Sequence, residues 1–71
     1  EKFIKELGIT QVRVRHHGPL ARIEVPPSEF LTILHENYRD KITAHLKSIG
    51  FTWIAMDLSG YRTGSLNESL S

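Results

Sequence analysis

The sequence predicts a two-layer α+β domain with the element order α-β-β-α-β and a three-stranded sheet. Three observations predict it. Residues 11–25, QVRVRHHGPLARIEV, alternate apolar and polar side chains on both sides of a Gly18-Pro19 turn signal, which is the pattern of a hairpin with one buried face. Apolar residues recur at helical spacing before the hairpin and again after it. A second alternating run, FTWIAMDL, follows the later helical stretch, so a helix must cross back to the sheet.

The first element is EKFIKELG, where Phe3, Ile4 and Leu7 share a helix face and Gly8 supplies the stop. In the hairpin, successive side chains turn to opposite faces of the strand. Val12, Val14 and His16 therefore point one way and Arg13, Arg15 and His17 the other, while Ala21, Ile23 and Val25 oppose Arg22 and Glu24. With the turn centred on Gly18-Pro19, Arg13 falls across from Glu24 and Arg15 across from Arg22, so one arginine is matched and the others are in excess. Pro26-Pro27 ends the strand, and Ser28 is placed to cap a helix beginning at Glu29 that buries Phe30, Ile33 and Leu34. Asn37 interrupts or kinks this helix before a stretch with Ile42, Leu46 and Ile49 on one face and Gly50 as its cap. The last strand sets Ile54, Met56 and Leu58 against Trp53, Ala55 and Asp57. A right-handed crossover is expected to lay it beside the first strand, parallel to the second. Helices then cover one sheet face, and the other carries Arg13, Arg15, Arg22, Glu24, Trp53 and Asp57.

Seventy-one residues are one domain, with no cysteine for a disulfide or thiolate site and a formal charge of +1. A reducing, cytoplasmic setting fits this composition. No apolar run approaches the roughly 18–20 residues of a membrane span, so no membrane partner is expected. The near-neutral balance excludes a general basic field, so nucleic acid is not expected either, and any affinity for phosphate must be local. Beginning on Glu1 in a helical pattern, the chain reads as a domain excised from a longer enzyme, with residues 58–71 as an irregular tail.

Two guanidiniums on one strand face either decorate a wet surface or grip an anion through forked donors, and spacing alone leaves both open. Adjacent His16 and His17 point to opposite faces and make no joint metal site. No serine, cysteine or carboxylate stands near them in sequence to form a catalytic unit, so neither catalytic nor metal residues are assigned. The tail segment GYRTGSLN offers two glycines, two hydroxyls and Arg62, which is either an anion wrap or a plain terminus. Trp53 beside Ala55 makes a flat patch suited to self-association.

Taken together, QVRVRHHGPLARIEV, LKSIGF and DLSGYRTGSLNE resemble the C-terminal part of the LarE-type sacrificial sulfur transferases. These are ATP-dependent PP-loop enzymes that help build the nickel-pincer mononucleotide cofactor of lactate racemase. The hairpin alone also resembles the C-terminal dimerisation domain of GMP synthetases, which supplies the rival reading as a dimerisation module of a PP-loop amidating enzyme. A KH-like nucleic-acid module shares the element order but needs a GxxG loop between helices that this chain lacks. The LarE resemblance implies an upstream PP-loop ATP pyrophosphatase domain of the same chain, with ATP and Mg belonging there and no cofactor in these residues. It implies that Arg13 and Arg62, and less directly Arg15, hold the phosphate of a mononucleotide substrate. Glu24, and Glu1 at the chain end, match acidic positions near a subunit interface.

Overall fold

The computed structural model describes residues 1–61. Helix α1 spans Lys2–Glu6, the hairpin strands β1 and β2 span Arg13–His17 and Leu20–Glu24, and helices α2 and α3 span Phe30–Leu34 and Glu36–Ser48. Strand β3, Trp53–Met56, completes a three-stranded mixed sheet. The α+β class and the hairpin register are as the alternation predicts, with Arg13 opposite Glu24, Val14 opposite Ile23 and Arg15 opposite Arg22.

The sheet order corrects the expected position of the last strand. The order is β1-β2-β3, so β3 lies beside β2, parallel to it, and is not paired with β1. The reason is which strand tolerates an edge. Four of the five residues of β1 are exposed, and its arginines and histidines suit a strand that meets water along one side. In β2, Ala21 and Ile23 are buried, as a central strand requires. Trp53 N–H donates to the Pro19 carbonyl and Asp57 N–H to that of Ile23, fastening both ends of β3 to β2.

Ile4, Ile9, Val12, Ala21, Ile23, Val25, Ile33, Ile42 and Leu46 form the core between the helices and one sheet face. Two aromatic pairs lie at its margins: His45 stacks on Phe3 at 4.1 Å between centroids, and His16 meets Phe51 edge-on at 5.8 Å. The region between Pro26 and Ile49 differs from expectation in detail. Ser28 does not cap a helix but sits inside a 3-10 turn, Pro27–Glu29, because the rigid Pro26-Pro27 pair already fixes the entry. The break between α2 and α3 falls at His35, not Asn37: His35 is extended (φ −60°, ψ 136°), and its Nδ1 accepts from Asn37 N–H at 3.3 Å. This bend turns Leu34 outward, leaving it half exposed. Ile49 is likewise exposed, because the helix ends at Ser48. Beyond it the chain reverses through Gly50 (φ 118°), with Gly50 N–H bonded to the Lys47 carbonyl and Phe51 N–H to that of Leu46. That pair of bonds is the Schellman ending, and it needs a left-handed residue at Gly50. Leu58, expected on the inner face of β3, lies past the strand end and is exposed.

Candidate anion-binding face

The sheet face without helices carries three cross-strand rows, set by register. His17, Leu20 and Trp53 form one, Arg15, Arg22 and Ala55 the next, and Arg13 and Glu24 begin the third, which Asp57 continues. The face is therefore apolar at its hairpin-turn end and charged at the other. Trp53 is 64% exposed, as the strand phase predicts. It pairs with Leu20 at the hairpin-turn end of the face.

The charges pair differently from the sequence expectation. Glu24, directly across from Arg13, instead accepts diagonally from Arg15 Nε at 3.3 Å and along its own strand from Arg22 Nη2 at 3.1 Å. Arg22 Nε also stands 3.6 Å from Asp57 Oδ2, an ion pair beyond hydrogen-bond range. The diagonal partner wins because a two-residue offset lets the long Arg15 side chain lie along the sheet while Glu24 serves two guanidiniums at once. Arg13 is left as the cation with no acidic partner among the described residues. Its guanidinium carbon sits 5.7 Å from the Tyr61 ring centroid, within cation–π range. A flat aromatic face orients the guanidinium without neutralising it, so the forked donors stay available to an anion.

Tyr61 arrives there through a tight turn. Asp57 Oδ1 accepts from Ser59 N–H at 2.8 Å, Gly60 N–H bonds the Asp57 carbonyl at 3.1 Å, and Tyr61 N–H bonds the Val25 carbonyl at 2.8 Å. Gly60 is required at that point. A Cβ there would lie 2.9 Å from the Val25 carbonyl oxygen, at a φ of 82°.

Of the residues singled out from sequence, Arg13, Arg15 and Glu24 share this face, with Arg15 committed to Glu24. Arg62 lies outside the described residues. Glu1 is near the same strand, where its Oε2 accepts from Val14 N–H at 3.3 Å. Sequence reasoning passed over Tyr61 and the turn-forming part played by Asp57. The Asp-x-Ser-Gly spacing of residues 57–60 is an Asx-turn signal and was the legible clue. Among the described residues no three metal-ligating side chains converge, and no helix is long and apolar enough to cross a membrane.

Over all 71 residues the chain is 39% identical to the pyridinium-3,5-bisthiocarboxylic acid mononucleotide synthase of Lactiplantibacillus plantarum. The LarE resemblance runs the length of the chain. An uncharacterized protein of Synechocystis sp. is 35% identical over the same 71 residues. This LarE-like chain spans about a quarter of the length of the curated relatives it matches, 25% of the first and 26% of the second. No family model matches it.

Proposed function

We propose that this chain is the C-terminal, substrate-phosphate-binding and oligomerisation domain of a LarE-like, ATP-dependent sulfur transferase acting in nickel-pincer cofactor biosynthesis. The observation that carries the reading is Arg13: an exposed guanidinium seated on Tyr61 and bound to no acid among the described residues, in a chain 39% identical throughout to a mononucleotide synthase. A mononucleotide presents a phosphate dianion, and a planar guanidinium meets it with two parallel charge-assisted bonds. Arg62 is assigned to the same phosphate, with Arg15 as an auxiliary that Glu24 restrains. Glu24 and Trp53 are assigned to subunit contacts.

Binding and assembly are this domain's work, and the chemistry belongs to the rest of the parent. ATP and Mg are assigned to an upstream PP-loop domain of the same chain in the cytoplasm. The test uses the full-length enzyme. Arg13→Ala and Arg62→Ala should each weaken use of the mononucleotide by about 1.5–3 kcal/mol, roughly tenfold to a hundredfold in KM or Kd, and leave ATP affinity unchanged. Lysine replacements should recover only part of the loss, since an ammonium lacks the fork. Full turnover of the mononucleotide by the double alanine variant would reduce both arginines to surface decoration. The 71-residue chain alone should release no pyrophosphate from ATP.

A further inference from the structure

A continuous set of contacts joins the middle of the open face to the Arg13 seat, and one carboxylate stands at its centre. Asp57 uses its two oxygens for different tasks. Oδ2 faces Arg22 Nε at 3.6 Å, while Oδ1 takes the Ser59 N–H at 2.8 Å and closes the turn. Arg22 Nε is buried and has no hydrogen-bond partner among the described residues, so the Asp57 carboxylate is the group that offsets its burial. Arg22 is fixed on its other side by Glu24. The turn thus hangs from the central strand through an ion pair, and it delivers Tyr61 against Val25 and beneath Arg13.

We propose that Asp57, anchored by Arg22, is a positioning residue that folds residues 57–61 so that Tyr61 seats the Arg13 guanidinium for a phosphate-bearing ligand. The inference rests on the anion reading of Arg13. It differs in sign from what simple charge predicts. Asp57 lies two strand spacings from Arg13, about 10 Å, so as a bare negative charge it repels an anion and its removal tightens binding. As a positioning residue its removal loosens binding, because the turn and the aromatic seat are lost together.

The experiment is a titration of the 71-residue chain with inorganic phosphate at constant ionic strength, followed by the Arg13 Nε–H and backbone amide resonances. Exchange protection of the Tyr61 amide is read alongside. Asp57→Ala should weaken phosphate binding about fivefold to tenfold and abolish Tyr61 protection. Asp57→Asn keeps an oxygen for Ser59 N–H but gives up the ion pair with Arg22, so it should fall between the parent and Asp57→Ala, weakening phosphate binding about twofold to fivefold with Tyr61 protection reduced but present. Should Asp57→Ala fail to fold, Ser59→Pro removes the amide donor without changing any charge, and the same loss is expected from it. Equal or tighter phosphate binding by whichever of these two variants is folded overturns the proposal. Arg13→Ala separates the premises: if it binds phosphate as the parent does, the anion reading fails by itself. The Tyr61 protection in Asp57→Ala then decides the seat alone, its persistence overturning it and its loss supporting it.

Discussion

The charged end of the open face is decided by competition between individual side chains. Three cations and two acids share this end of the face, and the acids go to Arg15 and Arg22. Cross-strand register gives Glu24 to Arg13, yet register fixes only where the Cα atoms stand, and a long side chain chooses among neighbours by angle and burial. Arg22 is the less exposed of Glu24's two partners, and leaving it unpaired would cost most. Gly60 is the other residue with no substitute. Gly60→Ala combines a left-handed backbone with a 2.9 Å approach to a main-chain oxygen, so the turn must shift. Destabilisation of about 1–3 kcal/mol is expected in urea unfolding, together with loss of the Tyr61 amide bond in hydrogen exchange. A wild-type exchange pattern in that variant would show that the turn tolerates a side chain.

Among the elements, α3 is the one whose ends carry their own stops. Its N-terminus is capped by an imidazole, which serves as the acceptor that serine or aspartate usually provides. His35→Ala should therefore cost about 1 kcal/mol, while His35→Asp should match or exceed the parent's stability, since a carboxylate also complements the helix dipole. Thermal unfolding by circular dichroism separates the two outcomes, and equal loss in both variants would mean that the bend, not the cap, holds the junction. At the other end, Gly50→Ala forces a Cβ into left-handed space with nothing nearby to clash. The expected cost is about 1 kcal/mol from backbone conformation alone.

At the scale of the whole molecule, nine buried hydrophobic residues form the core among the described residues, so the margin is thin. Ile23 sits at the centre of the sheet with 3% exposure, and Ile23→Ala should remove about 2–4 kcal/mol. For a domain of this size that leaves a large unfolded fraction at 37 °C, visible as loss of amide dispersion. The helix-free face has the opposite property. Trp53→Glu should leave circular dichroism unchanged, because the ring is mostly outside. On the reading that this face joins subunits, the same change should shift sedimentation toward monomer. Unchanged sedimentation, in a parent that does self-associate, would move the subunit contact elsewhere.

The sequence by itself determined the element types, the faces and the hairpin register. These are local matters: Val12 to Val25 alternate with a period of two around a two-residue turn, and one slip would turn the apolar face outward and bring the arginines and Glu24 inward. Arg13 and Arg15 were legible as face-mates for the same reason, and Trp53 as exposed. The tertiary structure decided what no local pattern contains. It put β3 beside β2, since a choice between two possible neighbours depends on which strand can bear burial on both sides. It moved the helix break to His35, since a cap forms where side chain and backbone meet in space. It also gave Glu24 to Arg15 and Arg22 and left Tyr61 to Arg13. Period-two alternation places a residue on a face, but only the packed chain sets the distances at which charges choose their partners.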